Sequence, residues 1–189
     1  MALRYLDSFD TYGTILQRGT TSPFGAFDAA IFRSGIQSFR PFSTSKTFDA
    51  QGTWIVGCAF YLPAIGVDRG IATYDGATIQ GEWRISAAGR IELYRGATLL
   101  ATGTQVLLAA TFYYIEFKHI ILNAAGTLEV RINGAVDVTF AGDTQETANA
   151  TADIIQMSST TAAPRVDDLY IYDGTGAINN NYAGDSQIE

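Results

Sequence analysis

The fold is decided by two neighbouring stretches, Tyr113-Tyr114-Ile115-Glu116-Phe117-Lys118-His119-Ile120-Ile121 and Gly126-Thr127-Leu128-Glu129-Val130-Arg131-Ile132-Asn133-Gly134. Apolar and polar side chains alternate along both, which predicts two β-strands that each bury one face. Pairing Phe117 with Val130 sets Lys118 opposite Glu129, so opposite charges meet. A shift of two residues would set Lys118 opposite Arg131, which is unfavourable. We therefore predict an antiparallel pair in the first register.

The Asn133-Gly134 dipeptide ends the second stretch and is a strong hairpin signal, usually for a two-residue loop. A two-residue loop would turn Val136, Val138 and Phe140 away from the buried face. Since a slip of one residue moves every side chain to the other face, we predict a three-residue loop, Asn133-Gly134-Ala135, with a bulge.

The rest of the chain repeats this pattern of short apolar runs separated by Gly, Asn, Asp, Ser and Pro, with almost no helical periodicity. The run 54–62 is continuously apolar, as in a strand covered on both faces, and it places Trp54 in the core. Alternation in 82–85 puts Trp83 on a buried side. We predict an all-β, two-sheet antiparallel sandwich over residues 1–176, followed by an extended polar arm over 177–189.

Composition excludes several classes of protein. The chain has 189 residues, 47% hydrophobic and 16% charged, with a net charge of −7 and no basic cluster. Nucleic-acid binding needs such a cluster, so we exclude it. No apolar run is long enough for membrane insertion. Residues 1–7 reach an acid too early for a signal peptide, and Cys58 has no second cysteine to pair with.

Two groups of residues resemble a known family. The first is the hairpin around 112–134. The second is the run 166–176, Val-Asp-Asp-Leu-Tyr-Ile-Tyr-Asp-Gly-Thr-Gly, followed by Asn179-Asn180 and Gly184-Asp185. Together they resemble the concanavalin A-like lectin/glucanase domains, LamG-like jelly rolls, of tailed-bacteriophage structural proteins.

The resemblance implies a jelly roll whose first and last strands are adjacent. It also implies a non-enzymatic virion accessory protein, made in the host cytoplasm, such as a capsid decoration or tail-associated subunit. Its partners would be other virion proteins and further copies of itself in a homo-oligomer. The arm would order against a neighbour through residues such as Asn179, Asn180, Asn181, Tyr182 and Ile188.

The sequence shows no convincing arrangement of catalytic residues. Glucanases of the resembling family carry a Glu-x-Asp-x-Glu strand, which is absent here. Glu116 and Glu129 lie beside Lys118 and Arg131, which favours a solvated ion-pair lattice. His119, the single histidine, lies on an apolar strand face, as expected of a core residue. We therefore expect no enzyme activity.

Two binding sites stay open as alternatives. Asp167, Asp168 and Asp173, with Asp7 and Asp10 on a strand expected nearby, have the oxygen ligands that Ca²⁺ prefers. No other cofactor is indicated.

Exposed aromatic residues beside acids or amides are typical of glycan sites, and Tyr12, Tyr74, Asp75 and Tyr182 are the candidates. They support the alternative function, a glycan-binding adhesin or receptor-binding domain that recognises cell-surface glycan.

Overall fold

A computed structural model describes residues 3–11, 25–159, 164–175, 181–185 and 187–188. Its regular elements in these ranges are the following strands, in chain order: β1 (Leu3–Asp7), β2 (Gly25–Asp28), β3 (Ser38–Pro41), β4 (Ser43–Gln51), β5 (Thr53–Leu62), β6 (Asp68–Asp75), β7 (Thr78–Ile85), β8 (Ile91–Arg95), β9 (Thr98–Thr102), β10 (Thr111–Ile120), β11 (Gly126–Ile132), β12 (Ala135–Gly142), β13 (Ala152–Ser158) and β14 (Arg165–Asp173). None of the described segments forms a helix with the length and apolar character needed to cross a bilayer.

The strands form two antiparallel sheets. The eight-stranded sheet has the order β12-β11-β10-β5-β14-β3-β2, and β1 also pairs with β14. The six-stranded sheet has the order β4-β13-β6-β7-β8-β9. The first and last strands of the described chain are therefore neighbours, and the expected all-β jelly-roll sandwich is confirmed.

The core lies between the two sheets, where the inward side chains of both meet. Its largest fully buried members include Trp54, Trp83, Phe39, Phe117, Ile85 and Leu93. Trp54 packs against Phe48 with tilted rings whose centroids are 5.2 Å apart, and Phe60 meets Trp83 edge-on at 5.1 Å. Both tryptophans are therefore packing residues, as the alternation predicts.

The β10–β11 pair has the predicted register. Phe117 lies opposite Val130, and Lys118 lies opposite Glu129.

The loop after β11 differs from the prediction. β11 ends at Ile132 and β12 begins at Ala135, opposite it, which leaves the two-residue loop Asn133-Gly134. Both loop residues have positive φ, 51° and 82°, as a type I′ hairpin turn requires. A register shift inside the pair, between Val130 and Arg131, then returns Val138 to the core. The bulge was correctly expected, but the three-residue loop is wrong because the extra residue sits within the strand.

The two sheets are joined by a buried polar contact at His119 on β10. Its Nδ1 lies 2.8 Å from Oγ1 of Thr73 on β6. Its Nε2 lies 3.1 Å from the carbonyl oxygen of Thr144. Because a carbonyl only accepts, the neutral ring carries its proton on Nε2. Burial lowers the pKa of His119 to about 4, so the ring is neutral near pH 7. The expected core histidine is confirmed.

Candidate functional site

The two sheets differ in what lies on their outer faces. Part of the chain's own C-terminal segment, residues 181–185 and 187–188, lies on the outer face of the eight-stranded sheet. On the outer face of the six-stranded sheet lies a strip of polar and aromatic side chains, here called the polar strip: Arg69, Tyr74, Glu82, Arg84, Tyr94 and Gln156. The hydrogen bonds and ion pairs given below for these side chains all go to strands of the same sheet.

Strand pairing aligns the polar strip across the sheet. Glu82 on β7 lies opposite Tyr94 on β8 and, on its other side, opposite Ala72 on β6. Ala72 lies opposite Gln156 on β13, which in turn lies opposite Ser45 on β4. Adjacent strands are about 4.8 Å apart, so this row spans roughly 19 Å. A row of that length suits an extended ligand.

A buried carboxylate lies at the centre of the polar strip. Only 1% of the Glu82 side chain is exposed. Its Oε1 accepts hydrogen bonds from Arg84, from Nε at 2.8 Å and from Nη2. Its Oε2 accepts none from the described residues and lies 3.9 Å from Nε of Arg69. A buried carboxylate oxygen without a hydrogen bond is costly, and a ligand hydroxyl would satisfy it once the side chains that cover it move aside.

Alternation within β7 explains why Glu82 and Arg84 share the outer face. Trp83 and Ile85 point into the core, so the residues next to them point outward. Two residues apart on one strand, the carboxylate and the guanidinium meet directly. The guanidinium of Arg84 also lies over the Tyr94 ring, 4.0 Å from its centroid.

Two tyrosines flank the charged centre. The hydroxyl of Tyr74 donates to Oε1 of Gln156 at 2.6 Å, and that of Tyr94 donates to Glu92 at 2.8 Å. Burial raises the pKa of both tyrosines. They stay protonated near pH 7 and serve as hydrogen-bonding groups with apolar ring faces.

The predicted glycan residues divide between three places. Tyr74 lies in the polar strip. The carboxylate of Asp75 instead accepts hydrogen bonds from Thr147 Oγ1 at 2.7 Å and Asn149 Nδ2 at 3.0 Å, and so holds the loop beside the strip. Tyr182 lies on the other sheet, and Tyr12 lies outside the described residues.

The acids of the calcium prediction are not brought to one point. Asp167 accepts from the backbone of Arg33 at 2.8 Å, and Asp168 from the hydroxyl of Ser34 at 2.8 Å. Asp173, five residues further along β14, is bound by Arg4, and five strand residues span roughly 17 Å.

The two remaining acids of that prediction hold turns: Asp7 accepts from the Phe9 backbone and Asp10 from that of Ile36. No cluster of three His, Cys, Asp or Glu suited to a metal occurs in the described ranges. Calcium binding stays a prediction.

Glu116 is not part of a solvated ion-pair lattice. It is 1% exposed, and its Oε1 accepts from the hydroxyl of Tyr170 at 2.6 Å and from the backbone N–H of Gly184 at 2.8 Å. The C-terminal segment covers it, which alternation within β10 does not indicate. The solvated interpretation holds for Glu129, which is 25% exposed and pairs with Arg131.

The sequence reading missed the polar strip apart from Tyr74. The alternation of residues 82–85 places Trp83 in the core, and the same pattern puts Glu82 and Arg84 together on the outer side. Arg69 and Gln156 join them through the strand order β13-β6-β7, for which no local signal exists.

Comparison with known proteins identifies the fold and no family. No family model and no curated protein matches the chain. Among solved structures it is similar to a sialidase, with a TM-score of 0.63 and 11% identity over 90% of this chain and 18% of that one. The chain thus corresponds to less than a fifth of the sialidase.

Two polysaccharide lyases are similar over nearly their whole length. The endo-β-1,4-glucuronan lyase of the fungus Trichoderma reesei has a TM-score of 0.54 and 10% identity over 90% of both chains. The alginate lyase Aly36B has a TM-score of 0.56 and 12% identity over 88% of this chain and 95% of that one. At such identities the likeness shows the fold alone.

These similarities correct one expectation from the sequence. Non-enzymatic character was inferred from a missing Glu-x-Asp-x-Glu strand, and that inference is wrong, since the sialidase and both lyases that share the fold are enzymes. The absence of a Glu-x-Asp-x-Glu strand argues only against the chemistry of the glucanases. Nothing in these similarities indicates a bacteriophage origin. The chain has a two-sheet jelly-roll sandwich fold, a scaffold that carries several chemistries.

Proposed function

We propose that this protein binds carbohydrate on the polar strip of the six-stranded sheet. The observation that carries the proposal is the buried Glu82 carboxylate, held by Arg84 through one oxygen while the other accepts no hydrogen bond from the described residues. Sugar hydroxyls both donate and accept. The strip offers an acceptor in Glu82 once the side chains that cover it move aside, donors in Arg69 and Arg84, and the ring of Tyr74 for the apolar face of a sugar.

The local charge of the strip also suits a saccharide. Arg69 and Arg84 balance Glu82 and the neighbouring Glu92, so the charges at the strip sum to zero within a chain of net charge −7. The strip can therefore face neutral sugars through hydrogen bonds and acidic sugars through its guanidinium groups. The names of the similar solved structures, a sialidase, a glucuronan lyase and an alginate lyase, point to the same class of ligand.

The virion interpretation rests on sequence resemblance alone. A location in a virion, partners among virion proteins and a role in attachment to cell-surface glycan all remain predictions. Carbohydrate binding on the polar strip is compatible with a virion location, and it does not depend on one.

The test is calorimetric titration of the full chain with two sets of oligosaccharides, neutral β-linked glucans and uronate oligomers. We expect saturable binding to one set. Arg69→Ala and Glu82→Gln should each weaken it by about tenfold or more, which corresponds to ~1.4 kcal/mol. Arg131→Ala removes the same kind of side chain from the outer face of the other sheet and should leave affinity unchanged.

Two results would reject the proposal. One is the absence of binding to both sets by folded protein. The other is an equal loss of affinity in Arg69→Ala and Arg131→Ala, since the effect would then not belong to the strip. Mass spectrometry of the oligosaccharides after incubation reports whether binding leads to cleavage.

A further inference from the structure

The outer face of the eight-stranded sheet holds a peptide from the chain itself, described at residues 181–185 and 187–188. The backbone N–H of Ala183 donates to the Tyr170 hydroxyl at 3.1 Å, and that of Gly184 donates to Glu116 at 2.8 Å. The N–H of Ile188 donates to Oδ1 of Asp168 at 2.8 Å. Three main-chain N–H groups of the segment therefore donate hydrogen bonds to side-chain acceptors of β10 and β14.

The acceptors belong to a preformed site, here called the seat: Arg33, Glu116, Arg131, Asp168 and Tyr170. Asp168 is fully buried and has a positive φ of 49°, a conformation that costs a non-glycine residue about 1 kcal/mol or more. Ser34 and Arg33 hold its carboxylate at 2.8 Å and 3.3 Å. The seat thus fixes buried carboxylates where a peptide backbone presents N–H groups.

Two side chains of the segment add specificity. Asp185 forms an ion pair with Arg33. The ring of Tyr182 lies under the guanidinium of Arg131, 4.1 Å from it, with Lys118 at 5.9 Å. The seat therefore selects a peptide with an aromatic residue three positions before an acid and with a residue of positive φ, here Gly184 at 83°, between them.

We propose that the seat is an assembly site that accepts the segment 181–188 from a second copy of this chain. Three hydrogen bonds run from the segment's backbone to the seat and one runs from Arg33 of the seat to Asp185, so a neighbour's segment would recreate each one at no loss of contacts. An occupant is required, because without one Glu116 and Asp168 lose donors while remaining largely desolvated. The chain's own segment is tethered, at an effective concentration of about 1 mM, so a neighbour's segment takes the seat where copies of the chain are held together at a similar local concentration. This proposal does not depend on the polar strip.

The test uses two full-length variants that complement each other. In the seat variant, Arg33→Ala and Glu116→Ala remove the acceptor site and leave the segment intact. In the segment variant, Tyr182→Ala, Gly184→Pro and Asp185→Ala remove the aromatic ring, one N–H donor and the acid, and leave the seat intact. Light scattering after size exclusion gives the mass of each variant alone and of their mixture, and near-ultraviolet circular dichroism verifies that each is folded.

We expect each variant alone to have the single-chain mass of 20.3 kDa and the equimolar mixture to have about twice that mass. A synthetic peptide of residues 176–189 should return the mixture to the single-chain mass. The control mixes the segment variant with a chain carrying all five substitutions, which should not associate.

Folded variants that remain single chains when mixed would overturn the proposal, as would a complex that the peptide does not disturb. If the seat variant does not fold, Arg33→Ala alone replaces it, since this change removes the ion pair with Asp185 and keeps the Glu116 carboxylate.

Discussion

His119 and Gly81 lie in contact across the interior, and a Cβ added to Gly81 would come within 2.7 Å of Cε1 of His119. The imidazole occupies the space that a side chain on β7 would otherwise fill. It thereby reaches Thr73 on β6, whose hydroxyl donates to His119 Nδ1 and whose Oγ1 lies 3.1 Å from the carbonyl oxygen of Gly81. Glycine at position 81 is thus a condition for the polar contact that joins the sheets.

Gly81→Ala should lower the free energy of unfolding by about 1–3 kcal/mol, because a methyl group forced against a fixed ring displaces it. In a His119→Ala background the same change should cost far less, since the ring is gone. Urea denaturation of both single variants and the double variant measures this coupling. Additive effects would mean that the ring moves aside freely.

Stability near pH 5 should depend on two buried groups that act in opposite directions. Burial lowers the pKa of His119 from 6.5 to about 4, so its contribution is present above pH 6.5 and lost as the pH falls towards 4. Burial raises the pKa of Asp167 from 3.8 to about 6, so the ionised form costs stability above pH 6 and the cost disappears as the pH falls towards 3.8. Each shift corresponds to about 3 kcal/mol at most.

Asp167→Asn should therefore make stability fall more steeply than in the natural chain as the pH drops from 6.5 to 4. The asparagine keeps an acceptor for the backbone N–H groups of Arg33 and Ser34 and cannot ionise. Urea unfolding at a series of pH values gives the two curves. Parallel curves would show that Asp167 titrates as an ordinary exposed carboxyl.

The turn at Asn133-Gly134 offers a further test. Gly134 has a φ of 82° with nothing within 4 Å of an added Cβ, so Gly134→Ala meets backbone strain without a steric clash. We expect a loss of about 1–2 kcal/mol. Asn133→Asp should be nearly neutral, since aspartate tolerates positive φ and keeps an acceptor for the backbone N–H of Tyr114, which donates to Asn133 Oδ1 at 2.8 Å. An equal loss for both changes, measured by thermal unfolding, would contradict the type I′ geometry.

Local pattern was sufficient for the strands and for the pairing of β10 with β11. Period-two alternation defines a buried face, and the charges of Lys118 and Glu129 select one register over its neighbour. The turn length was not predictable from alternation, because a bulge inside a strand and an extra loop residue shift the pattern equally.

The sites depended on contacts between residues distant in sequence. Glu116 is buried by Gly184, 68 residues further along the chain. Gln156 reaches Tyr74 because β13 inserts between β4 and β6. Alternation gives each side chain's face and does not reveal which distant strand or segment shares that face.

Two Glu-x-Arg pairs with the same local geometry should differ in how much stability is lost when the arginine is removed, because only one of them is buried. Glu82 and Arg84 form one, Glu129 and Arg131 the other, and both have a 2.8 Å contact between the arginine Nε and a carboxylate oxygen. The Glu82 carboxyl is 1% exposed and the Glu129 carboxyl 25%. Arg84→Ala leaves a desolvated carboxylate without its donors and should cost about 1–3 kcal/mol. Arg131→Ala leaves Glu129 in contact with water and should cost about 0–1 kcal/mol.

A Glu→Gln change added to each Arg→Ala variant shows whether the stability loss comes from an uncompensated buried charge or from lost packing of the arginine side chain. Adding Glu82→Gln to Arg84→Ala removes the uncompensated charge, so the double variant should recover part of the stability lost by Arg84→Ala. Adding Glu129→Gln to Arg131→Ala should change little, because that carboxylate is already hydrated. Equal behaviour of the two pairs in urea denaturation would mean that water reaches Glu82 freely, and the carboxylate would then not be the preorganised acceptor on which carbohydrate binding depends.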